Sequence, residues 1–215
     1  MSLHAARLIY LKRAVFVVAL LPLLTYFWLT INHALGANPI EALTRASGDW
    51  TLYFLCLALA ITPLRRITKQ NWLQALRRMM GLFVFFYACL HLITFIWFDH
   101  FFDMSEIVRD VWKRPFITVG FTAFLLLIPL AITSTNAMQR RLGRHWPHLH
   151  RLVYAVSILA LLHFWWMRSG KQNFGEPLLL AVIVFILLAA RVASASQRWI
   201  QARTSLADSR DAESR

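Results

Sequence analysis

Charge is scarce in this sequence and acid scarcer still: Asp and Glu number 10 against 23 Lys and Arg, only 15% of residues are charged, and 59% are hydrophobic. A soluble domain of this size could not cover itself with so little charge, so most of the chain has lipid as its solvent. Cysteine is nearly absent, and Cys56 and Cys89 both lie in apolar stretches. That excludes a disulfide framework and a cysteine-held metal cluster. Glycine is sparse, with 7 in 215 residues, and none belongs to a nucleotide-binding glycine motif. Strict apolar/polar alternation is missing too, which argues against a membrane barrel. No internal repeat or low-complexity stretch is evident.

What is present is a series of continuous apolar runs, each near the length that crosses a hydrocarbon core of about 30 Å. Six such runs fall at approximately 14–31, 50–63, 79–98, 116–133, 152–167 and 178–192. The expected fold class is an all-α integral membrane protein, a six-helix transmembrane bundle. Its domain would occupy residues 1–199, and the polar residues 200–215 would form a disordered cytoplasmic tail. The first run follows Lys12 and Arg13 as a signal peptide would, but it is longer than such segments, and we read it as a retained span.

The basic residues divide unevenly between the two ends of the runs. Arg45, Arg109, Lys113, Arg114, Arg168 and Lys171 fall on one side with seven acids, and the remaining 17 of the 23 fall on the other. The positive-inside rule then places both termini in the cytoplasm. Most of the net charge of +13 is topological signal and contact with anionic lipid, which removes the case for a nucleic-acid partner.

Of eight histidines, only His91 and His163 lie inside apolar runs; His4, His33, His100, His145 and His148 fall in loops or termini, where a solvated role is the default. An imidazole in hydrocarbon needs a partner, which for either one alone is served by hydrogen-bonding a neighbouring helix. The pair says more. His91 follows Arg78 by 13 residues and His163 follows Arg151 by 12. These rises of about 20 and 18 Å bring both rings to one depth. Facing histidines on neighbouring helices supply axial ligands from opposite sides of a heme plane. Gly81, Val84 and Ala88 on the face of His91, and Ser157 and Ala160 near His163, leave space for a flat macrocycle, though small residues equally mark close helix packing. No C-x-x-C-H motif exists for covalent attachment, so the heme would be b-type. His150 lies 13 residues before His163, and 14 before His91 stands Arg77. A guanidinium cannot ligate iron, but it can pair with a propionate or a flavin phosphate.

These spacings resemble the ferric-reductase-like transmembrane domain, in which two helices each carry a histidine pair. Here three of the four positions match and the fourth is Arg77. A closer resemblance is to the MsrQ family of heme-binding membrane subunits. It is carried by Ile31-Asn32-His33, Leu35-Gly36-Ala37-Asn38-Pro39, Ile61-Thr62-Pro63-Leu64, Arg77-Arg78 and His91-Leu92, and above all by the block from Thr133 to Arg140 followed by Leu142-Gly143, Trp146 and Leu149-His150. The resemblance implies heme b at His91, His163 and His150, an associated FMN, and the quinone pool as electron source. It also implies a bacterial inner-membrane location and a periplasmic MsrP-like molybdopterin reductase that repairs methionine sulfoxide. His150, Arg77 and Arg151 mark the cytoplasmic place where a second heme or FMN would sit.

Two other readings stay open on the residues alone: a self-sufficient transmembrane reductase of ferric or other metal ions, and a small transporter with His91 and His163 as a proton relay.

Overall fold

The computed structural model describes residues 3–169 and 174–213. Lys171, placed above among the less basic side's cations, and Arg215 of the tail lie outside the described residues. Among these residues every regular element is a helix, and six are long and apolar enough to cross a membrane. The chain is a multi-pass membrane protein.

Helix α1 (Leu3–Ile31) is followed by α2 (Pro39–Thr68), a 3-10 turn at Asn71–Leu73 and α3 (Gln74–Thr94), which passes into a π turn at Phe95–Asp99. A short surface helix, α4 (Met104–Lys113), leads to α5 (Pro115–Ile132). Then come the short α6 (Asn136–Leu142) and α7 (Trp146–Leu149), and finally α8 (Leu152–Ser169) and α9 (Gly175–Glu213). With six spans, both termini lie at one end of the bundle and α4 at the other. We refer to these as the termini end and the α4 end.

Several spans are longer than their apolar runs; the first, expected over 14–31, covers Ala6–Ile31. The second was expected over 50–63 and covers Pro39–Thr68, because the chain is ready for a helix well before the apolar residues begin. The Asn38 side chain accepts the Glu41 backbone N–H at 3.1 Å, and Pro39, which has no N–H to satisfy, opens the first turn. The third, expected over 79–98, covers Asn71–Asp99. The last helix continues to Glu213, across the polar stretch whose composition suggested a disordered tail.

The core is built mainly where α2 and α3 meet. Leu52, Phe54, Leu55 and Leu59 of α2 pack with Phe83, Val84 and Tyr87 of α3, joined by Leu127, Val156, Phe164 and Val184 from α5, α8 and α9. Leu55, Leu59, Val84, Val156 and Val184 are almost wholly enclosed. The opposite faces, such as Val17, Val18 and Leu24 of α1 and Phe185 and Ile186 of α9, stay exposed to what would be acyl chains.

A buried cation repairs one helix. Pro63 has no N–H to give the carbonyl of Leu59, four residues back. Arg191 of α9 supplies the missing donors, with Nη2 on the Leu59 carbonyl at 2.8 Å and on the Ala58 carbonyl at 3.2 Å. It is buried, and its guanidinium also lies 5.9 Å from the centre of the Tyr154 ring.

Candidate functional site: a histidine pair between two matching helix hairpins

His91 comes from α3 and His163 from α8, and their ring centres lie 6.0 Å apart with the planes at 74°. Each ring is oriented by a carbonyl on the neighbouring helix. His91 Nδ1 donates to the Thr44 carbonyl of α2 at 2.8 Å, and His163 Nδ1 donates to the Phe116 carbonyl of α5 at 2.7 Å. In both cases Nδ1 is committed as a donor, which leaves Nε2 with its lone pair for a metal.

Each ring also rests on a glycine one turn beyond that carbonyl. A Cβ on Gly48 would stand 3.2 Å from His91, and one on Gly120 only 2.7 Å from His163. These glycines make room for the two rings, and sequence reasoning passed over them.

The correspondence extends along both hairpins, so the expectation of no internal repeat needs correction. The two histidine-to-carbonyl bonds span the same 47 residues. Gly48 and Gly120, Leu55 and Leu127, Val84 and Val156, Ala88 and Ala160, and His91 and His163 are each 72 positions apart, identical within each pair, and all line one cavity. The α2–α3 hairpin and the α5–α8 hairpin thus present the same small and branched residues to a shared space. These five identities, with Leu90 and Leu162 as a sixth outside the cavity lining, are scattered over so long an offset that they are too thin to stand out in the sequence.

Of the small residues expected around the pair, Val84, Ala88 and Ala160 line this cavity. Gly81 lines a different one, and Ser157 is fully enclosed, donating to the Val153 carbonyl at 2.7 Å. The histidine cavity is apolar along its length and polar only toward the α4 end, where Arg45, Asp49, Asp99 and Arg114 reach it.

A second cavity opens toward the termini end, and Leu55, Val84 and Leu127 line both. Its polar wall holds Lys12, Arg77, Arg78, Arg191 and His150. The structure therefore brings Arg77 and His150 together. Arg151 is exposed and does not line this space. The His150 ring stacks on Trp146, centres 4.0 Å apart, and its Nε2 lies 3.1 Å from Thr133 Oγ1. That hydroxyl's own proton goes to the Pro129 carbonyl at 2.6 Å, so Nε2–H is the donor to Thr133. Burial, and then the Arg77 guanidinium, hold His150 below the usual imidazole range and favour its neutral form.

Of the loop histidines, His100 is not simply solvated. Its side chain is only 10% exposed, packed on Phe95 at 4.6 Å between centres and near the carboxylates of Asp110 and Glu106 at 3.4 and 3.8 Å. It stands apart from the histidine cavity.

The ferric reductase like transmembrane component family matches residues 47–161, a stretch that takes in Gly48, His91, Gly120 and His150. The protein-methionine-sulfoxide reductase heme-binding subunit MsrQ of Herminiimonas arsenicoxydans is 58% identical over 201 residues, covering 92% of each chain. The chain belongs to the MsrQ family. Further members are similarly close: that of Polaromonas naphthalenivorans is 52% identical over 193 residues, 89% of this chain and 87% of its own. That of Rhodospirillum rubrum is 50% identical over 186 residues, 86% of this chain and 88% of its own. No solved structure matches.

Proposed function

We propose that this chain is a heme b electron-transfer subunit, in which His91 and His163 would hold the iron of one heme, serving electron flow across a bacterial inner membrane to a periplasmic methionine sulfoxide reductase of the molybdopterin type. The observation that carries the reading is the pair of opposed imidazoles with both Nδ1 atoms tied to carbonyls. Two imidazoles bound through nitrogens at about 2 Å to one metal have ring centres roughly 6 Å apart. The observed 6.0 Å and the apolar, glycine-lined space around the rings fit that arrangement. Names of relatives at 50 to 58% identity point the same way.

When bound, heme b supplies a one-electron carrier whose potential is set by its ligands and surroundings. The protein's own part is positional. The Thr44 and Phe116 carbonyls fix tautomer and ring orientation and raise the basicity of each Nε2. Leu52, Leu55, Val84, Phe124, Leu127 and Val156 keep water from the pair. We further assign the termini end to the cytoplasm, on the distribution of basic residues. The cavity holding Arg77 and His150 is then the cytoplasmic station for a second redox group, an FMN or a second heme fed by the quinone pool. Its cations suit a phosphate or propionate, and Leu55, Val84 and Leu127 join it directly to the histidine cavity.

Absorption spectroscopy of the purified chain tests this reading. A Soret band and sharp low-spin bands are expected, and both His91→Ala and His163→Ala should remove them while His100→Ala does not. Adding the periplasmic reductase with methionine sulfoxide to dithionite-reduced membranes should then reoxidise the heme. A spectrum without a Soret band, or retention of the full spectrum by both single variants, would overturn the ligand assignment. A heme that stays reduced beside an active partner would overturn the route.

A further inference from the structure

The surface helix α4 presents a largely exposed apolar face. Met104, Val108 and Trp112 recur every fourth residue along one side, and Phe101 precedes them; all four are 61 to 87% exposed. The rest of the helix is sorted around this stripe. Ile107 and Val111 are half-buried, Arg109 is exposed next to the apolar stripe, Lys113 is exposed in line with Glu106, and Glu106 and Asp110 approach His100 on the far side.

We propose that α4 is an interfacial helix, its Phe101, Met104, Val108 and Trp112 face seated in the bilayer and Arg109 reaching the anionic lipid phosphates. Continuity favours lipid as the occupant. The turn that leads into the stripe packs on the exposed surface of the third span, with the Phe102 ring 5.9 Å from that of Trp97, and Trp97 and Ile93 of that span are themselves about half exposed. The helix is also held at that level. Only Arg114 separates Lys113 from Pro115, where α5 begins, and the Thr118 hydroxyl of α5 donates to the Val111 carbonyl of α4.

The turn that leads into α4 carries a second sign. Phe101 and Phe102 adopt φ of 45° and 63°, a left-handed conformation that large side chains rarely take, and both stay exposed, at 78% and 55%, with the Phe102 ring against that of Trp97. A conformation so costly for two consecutive phenylalanines is accounted for when the rings enter acyl chains, as aromatic and basic residues do on interfacial helices. Charge agrees, since Arg109 borders the stripe, the shielded Asp110 turns toward His100, and Glu106, exposed at 58%, lies on the side away from the stripe. Asp99 and Arg114, at the two ends of this segment, line the histidine cavity, so seating α4 in lipid also fixes that cavity's rim.

The test places a nitroxide at Val108→Cys or, separately, at Glu106→Cys, in the full chain with Cys56 and Cys89 replaced by alanine, in nanodiscs of phosphatidylethanolamine and phosphatidylglycerol. At position 108 collisions with oxygen should exceed those with an aqueous nickel chelate, and at 106 the order should reverse. A second measurement keeps the native cysteines: the emission of Trp112, taken as the difference between the chain and Trp112→Phe, should be quenched by lipids brominated near the carbonyl region and not by iodide. Free access of the nickel chelate to position 108, or iodide quenching of Trp112, overturns the proposal. So does shielding of position 108 that develops only when the periplasmic reductase is added, which would make this face a protein-docking surface.

Discussion

Gly120 and His163 are packed so closely that no side chain could stand between them, since a Cβ at 120 would lie 2.7 Å from Nδ1 of the ring. Neither backbone nor ring has an easy way to yield, because the same Nδ1 is held by the Phe116 carbonyl. Gly120→Ala should therefore displace His163 and lower heme affinity roughly 10- to 100-fold, the range typical of disturbed ligand-orienting groups. Gly48→Ala meets His91 at 3.2 Å, where a small adjustment suffices, and should cost less. Heme retained per protein after purification, compared across the two variants, checks the order. Equal loss would mean that the two hairpins bear on their histidines alike.

How much of this site was legible beforehand follows from what side-chain chemistry alone can signal. His91 and His163 stood out because an imidazole in an apolar run is costly, and equal depth followed from helical rise. Their partners did not stand out. The Thr44 and Phe116 carbonyls leave no trace in residue type, and Gly48 and Gly120 read as ordinary helix residues until the neighbouring rings are in place. The second span was foreseen as apolar residues only, so its first turns, which carry Thr44, Gly48 and Asp49, were left outside it. Arg151 was grouped with His150 by adjacency in sequence, whereas its side chain is exposed beside a cavity lined by its neighbour.

Arg191 was read as one more cytoplasmic cation, yet it is a donor to the carbonyls around Pro63. Arg191→Met should destabilise the bundle by about 1–3 kcal/mol, the usual cost of leaving buried acceptors unmet. Pro63→Ala restores an N–H able to reach the Leu59 carbonyl, so in the Arg191→Met background it should recover about 1 kcal/mol. Thermal unfolding in detergent reads both. An Arg191→Met loss that Pro63→Ala leaves unchanged would assign the arginine's contribution to the termini-end cavity it lines rather than to α2.

His150 has its Nε2 engaged by Thr133 and its ring stacked on Trp146. His150→Ala should leave the low-spin spectrum of the His91–His163 site intact and remove only a weak or high-spin component. Thr133→Val takes away the acceptor and frees Nε2, so it should strengthen that component. Electron paramagnetic resonance of the oxidised protein separates low-spin from high-spin iron. Loss of all heme in a folded His150→Ala chain would contradict the division into two stations.

At the α4 end, Arg168 stands between two carboxylates, 3.3 Å from Asp49 and 3.0 Å from Glu176, and so ties α8 to α2 and α9. Asp49 lies next to Gly48 and lines the histidine cavity, which makes this triad part of the cavity's closure. The arginine and Asp49 are mostly shielded, at 12% and 20% side-chain exposure, while Glu176 at 44% is not. Removing the arginine leaves Asp49 and Glu176 facing each other with no cation between them. Arg168→Gln should therefore cost about 2 kcal/mol, somewhat under the 3–5 seen when one partner of a fully buried pair is deleted. Asp49→Asn leaves Arg168 its bond to Glu176 and should cost less than about 1 kcal/mol. In the double variant the uncompensated acid at 49 is gone, so its loss should fall below that of Arg168→Gln alone, a coupling that a double-mutant cycle on thermal stability measures directly. Additive losses would show that Asp49 and Arg168 act independently, and that α2 and α8 are held together at this end by the apolar contacts alone.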